Sequence, residues 1–162
     1  MNTHALRPWL VAFALSCATA GIGGALTELG PWYFALRQPD WKPPDAAFGV
    51  VWTCLFTLCA ISAALAWRAA GTVAMRRRVW LLFAANALLN MFWSALYFKL
   101  QRPDWALIEV GFLWLSIVAL IVGLWRLSRL ASALLVPYLV WVGIAAFLNL
   151  AAVQLNGPFA GR

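Results

Sequence analysis

Five continuous apolar runs, each close to the length of a membrane-spanning helix, dominate this sequence of 162 residues. A hydrocarbon core about 30 Å thick requires roughly 20 apolar residues per α-helix, and 65% of the residues are hydrophobic while only 10% are charged. Such runs differ from the short alternating segments that build a transmembrane β-barrel. We therefore predict an all-α integral membrane protein whose single domain, 1–162, is a bundle of five transmembrane helices, at approximately 9–26, 48–67, 79–98, 105–124 and 130–155.

Charged residues are distributed unevenly between the two ends of the predicted spans. With five spans, the N-terminus and the 2–3 and 4–5 connections share one side, which carries Arg7, Arg68, Arg76, Arg77, Arg78, Arg126 and Arg129 and no acid. The other side carries Arg37, Lys42, Lys99, Arg102 and Arg162, offset by Glu28, Asp40, Asp45 and Asp104. By the positive-inside rule the N-terminus is cytoplasmic, in a membrane that we expect to be bacterial. The net charge of +7 thus indicates topology and contact with membrane lipid, and no nucleic-acid partner.

Residues suited to catalysis or metal binding are scarce in this sequence. The only histidine, His4, lies at the N-terminus, on the side opposite the long first loop. That position excludes a Ser/His/Asp or Cys/His arrangement within the bundle. The three cysteines, Cys17, Cys54 and Cys59, all lie inside predicted spans. We therefore predict no catalytic residue, no metal site and no required cofactor.

The connection between the first two spans contains the stretch "GPWYFALRQPDWKPPDAAFGVVW" at 30–52, which is rich in tryptophan and proline. Long loops of this kind are typically lids, binding loops or disordered segments, and its aromatic residues would expose too much apolar surface for a free segment. Prolines fix backbone angles and reduce the entropy lost on ordering. We predict an ordered lid over the helix ends, containing Trp32, Tyr33, Arg37, Pro39, Lys42, Pro43 and Pro44, with Trp41 closing it.

Aromatic and amide side chains recur at helical spacing in the second, third and fifth spans. Taken singly, each such stripe is more often part of a packed core or of an interfacial aromatic belt. Together they predict a cavity under the lid for a flat or rigid, largely apolar ligand. The predicted ligand-binding residues are Trp41, Phe48, Trp52, Asn90, Trp93, Tyr97, Tyr138, Trp141, Ala145 and Asn149.

Polar and small residues inside the spans leave alternatives open. Asn90 and Asn149 are costly in a span unless they are hydrogen-bonded, either to a neighbouring helix or to a ligand. Glu109, about one turn into the fourth span, either reaches the membrane interface or faces inward as a functional acid. In the first span, small residues that include Gly21 and Gly24 indicate a groove for close helix approach, within the bundle or across a dimer.

Sequence motifs in the lid and in spans two to five share one pattern. The lid has W-Y-x-x-L-x-x-P-x-W-x-P-P at Trp32, Tyr33, Leu36, Pro39, Trp41, Pro43 and Pro44. The spans add F-x-x-x-W-T at Phe48–Thr53, L-N-x-x-W-S at Leu89–Ser94, W-A-L-I-E at Trp105–Glu109, P-Y-L-x-W at Pro137–Trp141 and L-N at Leu148–Asn149. In this order, over essentially the whole chain, the sequence resembles the TspO/MBR family of tryptophan-rich sensory and translocator proteins, once called peripheral benzodiazepine receptors.

The resemblance implies a five-helix bundle, commonly a homodimer, that binds porphyrins and haem, isoquinoline or benzodiazepine-type drugs and, in some members, sterol. It places ligands beneath the 1–2 loop, near Trp52, Asn90, Trp93, Tyr138, Trp141, Ala145 and Asn149. The family's sterol motif requires a tyrosine and a basic residue where this chain has Leu150 and Gln154, so we do not expect sterol binding by that route. Phe56 and Asn86 stand where the family usually has Tyr and Gln, which changes the hydrogen bonding available to the cavity.

Three functional hypotheses follow from these residues and from the resemblance. The first is a non-enzymatic membrane sensor or transporter that binds protoporphyrin IX or haem, with the macrocycle on Trp52, Trp93 and Trp141 and its propionates near Arg37 or Lys42. The second is an enzyme that degrades porphyrin in light, with tryptophans as redox partners. The third is a membrane scaffold that binds partner proteins through the Gly21 and Gly24 groove.

Overall fold

The computed structural model describes residues 3–159, with side chains from Leu6 onward, so the side chain of His4 and all of Arg162 lie outside the described residues. The described helices are α1 (Thr3–Leu26), α2 (Pro31–Ala35), α3 (Asp45–Ala69), α4 (Val73–Ser94), α5 (Pro103–Trp125), α6 (Arg129–Ala133) and α7 (Val136–Asn156), and a π-helical turn (Ala95–Lys99) continues α4. Within the described residues, five segments are long and apolar enough to cross a membrane: Leu6–Leu26, Asp45–Ala69, Val73–Lys99, Pro103–Trp125 and Arg129–Asn156. The predicted all-α bundle of five transmembrane helices is confirmed.

The third span starts earlier than the apolar pattern predicts, at Val73 instead of 79. Thr72 precedes the helix, and its hydroxyl oxygen accepts a hydrogen bond from the backbone N–H of Met75 at 3.2 Å, which satisfies one of the free donors at a helix start. Arg76 lies in this first part of α4, and its Nε donates to the carbonyl of Ala70 at 3.2 Å. The basic cluster is therefore helical and does not form a loop.

Two spans contain irregular turns that hydropathy alone does not predict. The fifth span begins with the short α6, where the Ser128 hydroxyl accepts from the N–H of Ala131 at 3.2 Å, and then turns into α7. Pro137 occupies the first turn of α7, where the missing N–H costs no hydrogen bond. The third span ends in the π-helical turn at Lys99. Gln101 follows two residues later, and its φ of 53° lies in the left-handed region.

Packing within the bundle is uneven. α5 packs against α4, α6 and α7, and its Ile117, Leu120 and Leu124 are fully buried. α1 packs mainly against α3 and less extensively against α4, and among its residues 6–26 only Ala12 and Gly23 are buried. The bundle therefore has a closed half around α5 and an open seam between α1, α3 and α4.

Candidate functional site

A cavity of about 480 Å³, here called the lid cavity, lies in this seam at the end nearest the 1–2 loop. Its volume is within the range of about 300–1,000 Å³ that is typical of small-molecule sites. The lining is largely apolar and aromatic. It consists of Ala20, Gly23, Gly24, Thr27, Leu29, Tyr33, Asp45, Ala46, Phe48, Gly49, Trp52, Thr53, Phe56, Asn90, Trp93, Ser94 and Phe98.

The predicted lid is an ordered segment that begins with α2, and Tyr33 anchors it to the start of α3. The Tyr33 hydroxyl donates to Oδ1 of Asp45 at 2.8 Å, and Lys42 pairs with the same carboxylate. Lys42 also lies over the Tyr33 ring, with Nζ 5.4 Å from the centroid. Burial raises the pKa of Tyr33 above its usual value, and the hydrogen bond to Asp45 adds to that shift. Tyr33 and Lys42 of the lid and Asp45 of α3 thus form one cluster that joins the lid to the helix.

A second anchor joins the lid to the end of α7. The backbone N–H of Arg37 donates to Oδ1 of Asn156 at 2.8 Å, and Nδ2 of Asn156 donates to the Arg37 carbonyl at 2.9 Å. We call this pair of hydrogen bonds between Arg37 and Asn156 the lid clamp, and Leu36 beside it is buried. The clamp uses the backbone of Arg37 and leaves its side chain exposed.

The predicted ligand-binding residues separate into three groups. Phe48, Trp52, Asn90 and Trp93 line the lid cavity. Tyr97, Ala145 and Asn149 line a smaller pocket of about 50 Å³, which shares Phe48 and Trp93 with it. Tyr138, Trp141 and Trp41 are absent from both linings, and the Trp41 side chain is 55% exposed.

Tyr138 and Trp141 form a second layer behind the aromatic wall of the cavity. The Trp141 ring packs edge-on against Phe48, with centroids 5.5 Å apart, and Tyr138 packs similarly against Trp52 at 6.1 Å. Trp52 itself stacks on Phe56, with centroids 5.5 Å apart and planes 28° apart. The two α7 aromatics therefore support the residues that face the cavity.

Both buried amides bond to neighbouring helices, which confirms one of the two interpretations for each. Nδ2 of Asn90 donates to the Tyr138 hydroxyl at 3.2 Å, so Asn90 is held in place while it lines the cavity. Nδ2 of Asn149 donates to the Pro103 carbonyl at 2.7 Å, and its Oδ1 accepts from Nε1 of Trp93 at 3.2 Å. Asn149 thereby fixes the orientation of a cavity tryptophan.

Glu109 lies apart from the lid cavity. The residue is 5% exposed, and neither oxygen of its carboxyl has a hydrogen-bond partner among the described residues. It borders a shallow apolar groove between α4 and α5, lined also by Leu89, Phe92, Leu96, Trp105, Ile108 and Phe112. A functional role for this acid stays a prediction.

Gly21 and Gly24 of α1 face open space. Apart from the adjacent residues and the backbone of α1, no atom of the described residues comes within 4 Å of the position that a β-carbon would take at Gly21 or Gly24, and Gly24 lines the lid cavity. The prediction that another helix of the bundle packs closely against these two glycines is therefore wrong. Their use in a homodimer or with a partner protein stays a prediction.

Several site residues were missed by the sequence analysis. Phe98 follows the predicted Tyr97, and the π-helical turn brings it to the same wall as Trp93, five residues earlier. Asn156 and Asp45, which hold the lid, carry no motif that distinguishes them from ordinary helix-end residues. A polar residue at a helix end was the one available signal for both.

Sequence comparisons extend over nearly the whole chain. The sequence model of the TspO/MBR family matches residues 10–155. Tryptophan-rich protein TspO of Chlorobaculum tepidum is 40% identical over 86% of this chain and 90% of its own length. Protein CrtK of Rhodobacter capsulatus is 35% identical over 89% and 90%, and the translocator protein of Sus scrofa is 32% identical over 96% of each. With its five apolar spans, this integral multi-pass membrane protein belongs to the TspO/MBR family.

Proposed function

We propose that this protein is a membrane sensor or transporter that binds a tetrapyrrole, protoporphyrin IX or haem, in the lid cavity. The observation that carries the proposal is the cavity itself, a space of about 480 Å³ walled by Trp52 on α3 and Trp93 on α4 under an anchored lid. A flat, largely apolar ligand suits such walls, because aromatic rings that stack contribute about 0.5–1.5 kcal/mol beyond the burial of their area.

The macrocycle contacts Trp52 and Trp93 in this proposal, which replaces the three-tryptophan arrangement of the sequence hypothesis. Trp141 acts indirectly, because its ring packs against Phe48 and Phe48 lines the cavity. Asn149 acts indirectly as well, since it holds Nε1 of Trp93. Loss of either supporting residue is expected to weaken binding less than loss of Trp52 or Trp93.

Charge sets the orientation of the ligand. Among the described lining residues, Asp45 and Tyr33 are the ionisable ones, so the lining supplies no cation for the propionates of a tetrapyrrole. The nearest cation on the lid is Lys42, which is paired with Asp45 and lines the adjoining pocket. The carboxylates therefore lie at the lid, where they compete with Asp45 for Lys42, and the opposite ring edge points away from the lid.

A binding titration tests this proposal. Purified protein in detergent is titrated with protoporphyrin IX in the dark, so that binding is separated from photobleaching, and the Soret band of the porphyrin is followed. We expect saturable binding that is weakened about fivefold by Trp52→Ala. Trp41→Ala is the matched control, because Trp41 is exposed and outside the cavity. Equal affinities for the two variants would mean that the macrocycle binds elsewhere.

A second titration tests the orientation. Protoporphyrin IX dimethyl ester has the same ring but no carboxylate. We expect Lys42→Gln to weaken binding of the free acid about tenfold, because a charge-assisted hydrogen bond is lost, and to leave binding of the ester unchanged. The same loss for both ligands would show that Lys42 acts through lid structure and not through the propionates.

A further inference from the structure

A second cavity follows the lid cavity along the same three helices. It has a volume of about 160 Å³ and is called the lower chamber here. Its lining includes Ala12 and Thr19 on α1, Cys59 and Ala63 on α3, and Phe83 and Ala87 on α4. On each helix these residues lie farther from the lid than those that line the lid cavity. The two spaces are therefore consecutive segments of one seam.

Phe56 and Asn90 line both cavities and form the partition between them. Asn90 is held by the Tyr138 hydroxyl, so its side chain is fixed. Phe56 stacks on Trp52, which also walls the lid cavity. A ligand that lies on Trp52 is therefore next to the partition. Because the Phe56 ring is held by packing alone, we expect it to be the part of the partition that moves.

The lower chamber is built to hold hydrocarbon. Alanine, leucine, phenylalanine and tryptophan account for eight of its thirteen lining residues, and the others are Ser16, Thr19, Cys59, Asn86 and Asn90. Two of its polar groups already have partners: the Thr19 hydroxyl donates to the Leu15 carbonyl at 2.9 Å, and Nδ2 of Asn86 donates to the Ser116 hydroxyl at 2.8 Å. Such a wall favours an alkyl chain over a polar substituent, because burial of an unpaired polar group is costly.

We propose that the lower chamber binds an unbranched alkyl tail carried by the flat ligand of the lid cavity, and that Phe56 and Asn90 determine which tails pass. This inference rests on the proposed function. It narrows the ligand class to tetrapyrroles with a long apolar chain on the ring edge opposite the carboxylates. The orientation set by Lys42 directs that edge toward the partition.

Two porphyrins that differ only in this chain test the proposal. Mesoporphyrin IX carries ethyl groups on the edge opposite its carboxylates, and an analogue replaces one ethyl with octyl. Affinities are measured for both at one detergent concentration, so that partition of the tail into micelles cancels when protein variants are compared. The measured quantity is the octyl-to-ethyl affinity ratio.

Filling the lower chamber is expected to remove the benefit of the tail. In Ala87→Phe the octyl-to-ethyl ratio should fall about fivefold, because the chain loses its packing contacts, while mesoporphyrin IX binds as in the unmodified protein. Ala63→Leu fills the chamber from α3 and should have the same effect, so that one misfolded variant does not decide the outcome. Ala85→Phe is the matched control, since Ala85 is exposed on the same helix and outside both linings.

The outcomes separate this inference from the proposed function. If mesoporphyrin IX binds and both filling variants leave the ratio unchanged, a lipid chain or no ligand group occupies the chamber, and the inference is overturned while the proposed function stands. If Ala85→Phe lowers the ratio as much as Ala87→Phe does, the chamber is also not the binding site of the tail. If mesoporphyrin IX does not bind the unmodified protein, both proposals are overturned.

Discussion

The half of the bundle around α5 and the half around α1 differ in packing although both helices are apolar. On α5, a continuous stripe that includes Leu113, Ile117 and Leu120 is at most 2% exposed. On α1, between residues 6 and 26, burial is limited to Ala12 and Gly23. Both cavities of the seam lie against α1, and α5 lines neither of them.

This difference indicates a division of labour between the two halves. A tightly packed half resists deformation and keeps its side chains in fixed positions, as the Asn149 bonds to Pro103 and Trp93 illustrate. The open half supplies space, and its lid is held by polar contacts and by a small buried cluster in which Tyr33 packs with Leu96 and Tyr97. Under the proposed function, we expect ligand entry to require movement of α1 or the lid and to leave the α5 half unchanged.

The packing difference should influence the free energy of unfolding most strongly, and one leucine from each half tests this. Leu120→Ala should lower the free energy of unfolding by about 2–5 kcal/mol, because it leaves a void in a buried core. Leu10→Ala, at a side chain that is 67% exposed, should change it by about 0.5 kcal/mol or less. Denaturation with sodium dodecyl sulfate, followed by circular dichroism, measures both. Equal losses would contradict the packing difference.

Next in size is the contact that joins the two halves at Trp93. Asn149→Ala leaves the Pro103 carbonyl and the Trp93 indole N–H without their partner, which should cost about 1–3 kcal/mol. Protoporphyrin affinity should fall as well, since Trp93 loses its fixed orientation. Gln154→Ala, at an exposed position of the same helix, is the control and should change neither quantity. If Asn149→Ala binds protoporphyrin with unchanged affinity, Asn149 does not contribute to the binding site.

The lid clamp should have a smaller effect that is confined to the open half. Asn156→Ala removes two hydrogen bonds to the backbone of Arg37, each worth about 1 kcal/mol. Trypsin cleaves after Arg37, whereas Lys42 is protected by the following Pro43, so the appearance of this one cut reports lid opening. We expect cleavage about thirtyfold faster than in the unmodified protein, because proteolysis follows the open population. Cleavage at an unchanged rate would mean that the clamp does not hold the lid.

The smallest expected effect is at the exposed ion pair between Glu28 and Lys99, 2.7 Å apart. The hydrogen bond and charge of Lys99 lower the pKa of Glu28. The ion pair therefore contributes to stability above the pKa of Glu28 in the unfolded chain, which is about 4.3. This contribution is lost as the pH falls through the lower pKa that Glu28 has in the folded protein. Because exposed pairs contribute little, Glu28→Gln should leave the unfolding midpoint nearly unchanged at pH 7, and any difference should decrease as the pH falls below about 4.3.

The five spans were predictable because bilayer thickness sets the length of an apolar helix. Helix ends were less predictable, as the start of α4 shows, because Thr72 and not hydropathy decides it. Helical spacing also identified Phe48, Trp52, Asn90 and Trp93 correctly as one side of a cavity lining. For the spans and for these four residues, a local rule applied to each helix separately was sufficient.

The rest of the site depends on how helices are arranged around one another. Spacing along α7 places Tyr138 and Trp141 on one face, but it does not show that α3 side chains stand between that face and the cavity. Spacing along α1 likewise does not show whether Gly24 faces a helix or a cavity. The inclusion of Phe98 required a π-helical turn, which aligns residues five apart and has no clear signature in sequence.

Hydrogen exchange with and without saturating protoporphyrin IX tests whether the open half binds the ligand while the α5 half is a rigid scaffold. The predicted result is slower exchange of backbone amides in residues 20–27, in the lid at 31–44 and in the first turns of α3, with exchange in α5 unchanged. Slowing concentrated in α5 and α6, or no slowing in the seam, would contradict the claim.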